Sequence, residues 1–318
     1  MTDFDIRAFQ DTDRAAITER SNKSRPAYHQ SQLAEWERND ALRSAGVVLL
    51  RLCVGEPAWA YLYAEDRSTT PRRKPGVCSV HLWIAPEQWS DALADTLFDK
   101  AVEFARSREA KRLTAYLTLF SADDPMVPFL ARHGFTEVDR IAPVMLDLTT
   151  FDPARLTPPA PAGIRFFSYA EAGDTDEHRR RLYTLNGALD RDVPTNDEHS
   201  EPPPFEEFVK YFDRPEWDGN TLLLAANEAG DWVGISQLGF QEQTNIGWTY
   251  LTGVLPEYRG LGIAYALKLR ALDAARARGC PLILTENHED NAPMRAINRK
   301  LGFVPDAPGV SYGKNLTE

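Results

Sequence analysis

The most informative stretch of the sequence reads Val254-Leu255-Pro256-Glu257-Tyr258-Arg259-Gly260-Leu261-Gly262-Ile263-Ala264. Its pattern predicts a strand that ends, a turn, and a helix that begins on two glycines. Backbone N–H groups at a helix start have no partner within the helix, and they carry the positive end of the helix dipole. Because glycine lets an anion approach the backbone closely, the stretch predicts a phosphate site, with Arg259 as an additional positive charge.

Three other interpretations of this stretch are an unliganded turn, a dinucleotide-binding fold and a P-loop. Taken alone, the two glycines are equally compatible with a strand-to-helix turn that binds nothing. A dinucleotide-binding fold is disfavoured because its third glycine position holds Tyr265. A P-loop is disfavoured because no Gly-Lys-Ser or Gly-Lys-Thr follows.

Outward from this stretch, the second half of the chain predicts a mixed α/β fold. Periodicity and turn signals predict strands at 221–226, 232–240, 247–254 and 281–285, and helices at 176–189, 260–278 and 292–301. The first half shows a weaker version of the same plan, with a predicted helix at 90–108. An acidic loop at 190–199 suits a cationic acceptor, although an exposed loop without a function explains its composition equally well.

Three short segments recur in the same order in the two halves. Ile6-Arg7-Ala8-Phe9 matches Ile164-Arg165-Phe166-Phe167, Pro86-Glu87 matches Pro256-Glu257, and Arg132-His133-Gly134-Phe135 matches Lys300-Leu301-Gly302-Phe303. This order indicates a duplication. A proline-rich run at 151–162 predicts a stiff linker, so we expect one domain at 1–150 and a second at 163–318.

Composition narrows the functional class. The chain has 318 residues and a formal net charge of −11, which disfavours binding to nucleic acid. It contains no run of 18 apolar residues and begins without an apolar signal core, so we expect no membrane span and a cytoplasmic location. Its three cysteines are scattered, which predicts no metal site.

With these residues in view, the second half resembles the GNAT superfamily of N-acetyltransferases. Arg259-x-x-Gly262-x-Ala264 is similar to the acetyl-CoA signature Q/R-x-x-G-x-G/A, and the block from Asn291 to Phe303 also fits. The whole chain resembles tandem GNAT proteins, in an arrangement similar to that of mycothiol synthase. The resemblance implies two α/β domains, each with a mixed, mostly antiparallel sheet flanked by helices.

The resemblance also implies where acetyl-CoA binds. Amides of the glycine loop would hold its pyrophosphate, the end of the preceding strand would pair with its pantetheine arm, and Asn291 would contact that arm. In the first domain, Trp89 and Asp91 stand in the loop where Arg259 and Leu261 stand in the second, so we expect no cofactor there. The implied cofactor residues are Thr252, Gly253, Val254, Arg259, Gly260, Leu261, Gly262, Ile263, Ala264 and Asn291.

The implied reaction is transfer of an acetyl group to the primary amine of a small molecule, by direct attack in a ternary complex. A regulatory module that binds acyl-CoA without catalysis, or an enzyme for protein amines, is the alternative. Candidate catalytic residues are Tyr250, Glu286 and His288, although strand packing explains Tyr250, and a solvated strand end explains Glu286 and His288, more readily. Asn298 stands where the family often has an acidic tyrosine, so either another group such as Tyr312 or a water donates the proton, or no donor is needed. We expect a monomer that mimics a dimer, or a homodimer.

Overall fold

The computed structural model describes residues 4–41, 46–69, 74–153, 156–157, 159–193, 202–214, 216–288 and 290–316. The chain divides into two compact units. The first comprises Met1–Arg140 and Gly309–Glu318, and the second comprises Ile141–Pro308. No helix in the described ranges is both long and apolar enough to cross a membrane.

The first unit contains a seven-stranded sheet and four helices among its described residues. Its strands are β1 (Ile6–Ala8), β2 (Leu49–Val54), β3 (Ala60–Asp66), β4 (Val77–Ile84), β5 (Arg112–Thr118), β6 (Thr136–Ile141) and β14 (Gly309–Asn315). Its helices are α1 (Asp13–Asn22), α2 (Leu33–Ala41), α3 (Asp91–Ser107) and α4 (Met126–Arg132).

The second unit also contains a seven-stranded sheet, with five helices among its described residues. Its strands are β7 (Val144–Asp147), β8 (Arg165–Ser168), β9 (Leu222–Ala226), β10 (Trp232–Phe240), β11 (Gly247–Val254), β12 (Leu282–Thr285) and β13 (Val304–Pro305). Its helices are α5 (Tyr169–Ala172), α6 (Asp176–Asp190), α7 (Phe205–Phe208), α8 (Ile263–Ala277) and α9 (Ala292–Leu301).

The two sheets have the same topology. The strand orders are β1-β2-β3-β4-β5-β14-β6 and β8-β9-β10-β11-β12-β7-β13. In each sheet the first four strands are antiparallel neighbours, and the fourth and fifth are parallel. The predicted fold class, two mostly antiparallel mixed sheets flanked by helices, is therefore confirmed, and the internal repeat extends over the whole sheet order.

The sequence did not predict to which sheet the strands β7 and β14 belong. β7 follows β6 along the chain but pairs with β12 of the second sheet, whereas β14 pairs with β5 of the first. The units therefore divide at residues 140/141 and 308/309, in contrast to the expected boundary at 151–162. The described part of the proline-rich run belongs to the second unit, where Leu156 packs against its core.

The helix α8 packs on the sheet and contributes to the core beneath the glycine loop. It lies against β9, β10 and β11, and its apolar side chains join those of the sheet in one buried cluster. The approach is close, since a Cβ atom on Gly234 of β10 would stand 3.1 Å from Leu267 Cδ1. This packing holds the start of the helix beside the end of β11.

Candidate acetyl-CoA site

Two parallel strands of the second sheet pair briefly and then part. β11 and β12 pair only at Gly247 with Ile283, Trp248 with Leu284, and Thr249 with Thr285. Beyond Thr249, β11 continues to Val254 and stays paired with β10 on its other edge. The edge of Leu251–Val254 that β12 leaves therefore presents backbone groups that can pair with an extended ligand. We call the place where the strands part the seam.

The glycine loop has the geometry of an anion site. After β11 the chain makes a short turn at Pro256–Tyr258, and Gly260 and Gly262 have φ values of +78° and +80°. Gly262 is the N-cap of α8, and no side chain caps this helix start. The first N–H groups of α8 are thus left for a ligand oxygen, with the positive end of the helix dipole behind them.

A groove of about 640 Å³ runs from the edge of β11 to the glycine loop. Every predicted cofactor residue lines it except Leu261, whose side chain is half exposed. Sequence reasoning missed several further residues of its walls, because they come from other elements or fall outside the motif. These are Leu189, Asp192, Val193, Leu251, Tyr258, Tyr265, Asp290, Pro293, Met294 and Ile297.

The guanidinium of Arg259 is engaged within the protein. Its Nε donates to Val254 O at 3.1 Å, and a terminal nitrogen donates to Asp192 Oδ2 at 2.5 Å. The side chain therefore links the end of β11 to the segment after α6. The sequence predicted Arg259 as an additional positive charge for a phosphate, but in this structure Asp192 pairs with that charge.

Pro159 contacts the glycine loop from the proline-rich run. A Cβ atom on Gly262 would lie 2.6 Å from Pro159 Cγ. Glycine is thus required at 262 both by its positive φ and by this contact, whereas a Cβ atom on Gly260 would meet nothing within 4 Å. Gly260 is therefore the better position at which to test the loop.

Asn291 and Asn298 lie at opposite ends of α9. Asn291 is the N-cap of the helix, with its Oδ1 accepting from Met294 N at 3.3 Å, and it lines the groove. Asn298 is 1% exposed, and neither atom of its side-chain amide has a hydrogen-bond partner. The amide that occupies the position of the family's tyrosine is therefore buried without protein partners.

The remaining catalytic candidates lie in different surroundings. Tyr250 is 58% exposed and is the extra residue of a β-bulge, because Gln237 pairs with Leu251 and Leu238 with Thr249. Its ring covers Gly239. His288 is buried, and its Nδ1 accepts from Asp290 N at 3.1 Å, which favours a structural role.

Tyr312 does not join this site. It lies in β14, in the sheet and core of the first unit, and is 8% exposed. The sequence offered it as a proton donor only because of its position near the C-terminus, and the exchange of β14 between sheets was not predictable from that position. Residues 194–201 lie outside the described residues, and they include most of the acidic loop predicted at 190–199.

Glu286 follows β12 immediately after its last paired residue, Thr285. Side chains alternate along a strand, so Glu286 projects to the face of the sheet opposite that of Thr285. Its side chain reaches solvent but has many protein atoms around it. This desolvation, together with the negative charge of Asp306, raises the pKa of Glu286 to about 7. A carboxyl group with such a pKa can accept a proton near neutral pH.

Comparison with known proteins agrees with this geometry. Residues 191–303 match the model of the acetyltransferase (GNAT) family. A tandem GNAT protein from the clavulanic acid biosynthesis pathway aligns over 99% of both chains with a TM-score of 0.78 and 19% identity. A GCN5-related N-acetyltransferase from Sphaerobacter thermophilus aligns over 98% of this chain and 95% of that chain, with a TM-score of 0.74 and 20% identity.

These structural likenesses cover both units, so the duplication seen in the sheet order is the tandem GNAT arrangement. The family match lies within the second unit and includes the glycine loop and α9. No cluster of metal-ligating side chains occurs among the described residues. The chain therefore contains a GNAT acetyltransferase domain in its second unit, has the fold of a tandem GNAT protein, and is an acyltransferase.

Proposed function

We propose that the second unit binds acetyl-CoA in the groove and transfers its acetyl group to a primary amine, in a ternary complex. The observation that carries this proposal is the continuous groove from the free edge of β11 to the glycine loop. One end offers backbone groups to the pantetheine amides, and the other offers uncapped helix N–H groups to the pyrophosphate. The residues present therefore fit this cosubstrate.

In this proposal Glu286 is the general base. A primary amine is mostly protonated at neutral pH, because a lysine-type amine has a reference pKa of about 10.4. Glu286 lies beside the seam, where the thioester of a pantetheine arm paired with β11 would end. Its raised pKa of about 7 lets it take the proton of the attacking ammonium while it remains partly ionised.

A small-molecule amine is the proposed acceptor. The test is release of CoA from acetyl-CoA with a panel of primary amines, run in parallel with a panel of lysine-containing peptides. Turnover with a small amine supports the proposal, and turnover with peptides alone would assign a protein amine as the acceptor. CoA binding by calorimetry without turnover on either panel would favour a regulatory module, which the buried Asn298 in place of a tyrosine makes the second candidate.

A further inference from the structure

Buried polar groups without partners gather where α8 faces α9. Tyr265 Oη and Lys268 Nζ on α8, and the side-chain amide of Asn298 on α9, are all buried and have no hydrogen-bond partner. Thr249, the last residue of β11 paired with β12, also has a buried hydroxyl without a partner. We call these four residues the polar cluster. Burying an unsatisfied polar group destabilises the folded state by about 1–3 kcal/mol. Four such groups in one unit are therefore better explained by a role in binding or catalysis than by a role in folding.

Two contacts connect the polar side chains of α8 with the end of α9 and the residues after it. Lys300 Nζ lies 4.3 Å from the Tyr265 ring centroid, and Lys268 Nζ lies 5.1 Å from that of Phe303. Tyr265 and Lys268 are three residues apart and therefore lie on the same side of α8, and Tyr265 lines the groove. Gly247 faces Ile283 of the core, and Thr249, two residues further along β11, faces the same side.

The first unit shows that the fold does not require these polar groups. The repeat aligns Pro86 with Pro256 and Phe135 with Phe303, and it thereby aligns Phe98 with Lys268 and Leu130 with Asn298. Phe98 and Leu130 are buried in the first core, and the Phe98 ring packs 5.8 Å from that of Phe135. In the first unit, the apolar side chains of Phe98 and Leu130 thus occupy the positions that Lys268 and Asn298 occupy in the second.

We propose that Lys268 is the proton donor to the sulfur of the departing CoA, with Asn298 and Thr249 holding it or an intervening water in place. This rests on the proposed function. Glu286 first takes one proton from the ammonium and passes it to solvent, and the free amine nitrogen then bonds to the acetyl carbon. The carbon–sulfur bond breaks, the sulfur leaves with the electron pair, and the Lys268 ammonium gives that sulfur a proton. Glu286 takes the second proton of the nitrogen as the amide forms. Before the next cycle Lys268 regains a proton from solvent and Glu286 loses one to it.

The chemistry of Lys268 suits this role. No acidic side chain among the described residues pairs with it, and burial lowers its pKa to about 7. A thiol has an ordinary pKa of about 8.5, so an ammonium with a pKa near 7 is acidic enough to protonate the thiolate. Tyr265 on α8 and Lys300 on α9 are the ionisable groups that meet where these two helices touch.

The test replaces Lys268 by methionine, which keeps the length of the stem and removes the amine. Lys268→Met should lower kcat about 100-fold or more, the usual range for loss of a general acid, and change the KM for acetyl-CoA by less than about threefold. The matched control is Lys100→Met, an exposed lysine of α3 in the first unit, which should leave kcat unchanged. The melting temperature of Lys268→Met should stay equal or rise, because an unpartnered buried amine is replaced by an apolar group.

A second measurement separates this role from a structural one. At a pH below about 7, where Lys268 carries its positive charge, ultraviolet absorbance of bound CoA should show a several-fold higher thiolate fraction in the unmodified protein than in Lys268→Met, because a nearby positive charge favours the thiolate. Equal thiolate fractions in both proteins, or a kcat within threefold of the original, would overturn the assignment while leaving the proposed function intact. Failure of the unmodified protein to bind CoA would overturn both.

Discussion

The two units of this chain share one sheet order but treat the space between their fourth and fifth strands in opposite ways. In both units these strands pair at three positions and then part. The second unit has a groove of about 640 Å³ beside the parted strands, whereas a void beside the parted strands of the first unit is about 10 Å³ and is lined mainly by apolar side chains. The parting of the strands is thus common to both units, and the open groove distinguishes the second.

The helix starts differ in the same sense. The second unit begins α8 on Gly262 without a side-chain cap. At the start of α3 in the first unit, Trp89 Nε1 donates to Asp91 Oδ1 at 3.2 Å, and Arg132 pairs with Asp91 at 3.1 Å. Neither helix start has a side-chain cap, but a carboxylate with its ion pair stands at the start of α3, whereas α8 begins on two glycines with no acidic residue in its first turn. The same fold thus forms in the first unit without a glycine loop, which supports the proposal that the loop of the second unit binds an anion.

The largest effect is expected from a carboxylate in the glycine loop of the second unit, where the first unit has Asp91. Gly260→Asp should weaken acetyl-CoA binding by about 100-fold or more, because a carboxylate would face the pyrophosphate and lose its charge-assisted hydrogen bonds. Gly260→Asn is the matched control, since both side chains tolerate a positive φ and differ only in charge. Calorimetry should find the asparagine variant within about tenfold of the original, and equal affinities of the two variants would contradict an anion site.

Removal of the proposed base should have the next largest effect. Glu286→Gln should lower kcat/KM at neutral pH by about 100-fold, within the range for general bases. In the original protein kcat/KM should fall as the pH drops below about 7, because the raised pKa of Glu286 means that its carboxyl is then protonated and cannot accept a proton. A pH–rate profile that is identical in the two proteins would exclude Glu286 as the base.

A smaller effect is expected at Asn298. Asn298→Ala should lower kcat by less than about tenfold, because it removes neutral hydrogen bonds worth about 0.5–1.5 kcal/mol each and no acidic proton. Steady-state rates at saturating acetyl-CoA, with the fold checked by circular dichroism, measure this. A thousandfold loss would place Asn298 at the reacting atoms and make it more than a support for Lys268.

The smallest effect is expected from making the first unit resemble the second. The chain should bind one CoA, and Asp91→Gly should leave that stoichiometry at one, because Phe98 and Phe129 still fill the space beside the parted strands. The lost Asp91–Arg132 pair is exposed, so its loss should have little effect on stability. Saturation at two CoA molecules per chain, in either protein, would contradict the prediction that only the second unit binds CoA.

The sequence predicted the local elements of the second unit closely. The strand at 247–254 was predicted with its observed bounds, and the helix predicted at 260–278 spans Ile263–Ala277. The helix starts later because Gly260 and Gly262 have positive φ values, which a right-handed helix excludes. Most of the groove residues around the glycine loop could be predicted because they are nearly contiguous in the motif, so that local backbone geometry alone brings them together.

Features that depend on distant segments could not be predicted in this way. The residues of β7 form an ordinary short strand in either sheet, so nothing in their local pattern indicates that they pair with β12. Lys268 lies in a helix where a lysine usually extends its amine to solvent. Its burial becomes visible only when α9 and Phe303 are placed beside α8.

The exchange of β7 and β14 between the two sheets has a consequence for synthesis on the ribosome. The first unit's sheet places β14 between β5 and β6, so it stays incomplete until residues 309–315 have been made. At typical rates of about 5–20 residues per second, the nascent first unit waits on the order of ten to thirty seconds for that strand. During this interval its β5 edge is open to pairing with other chains, which makes this unit the expected client of a holding chaperone.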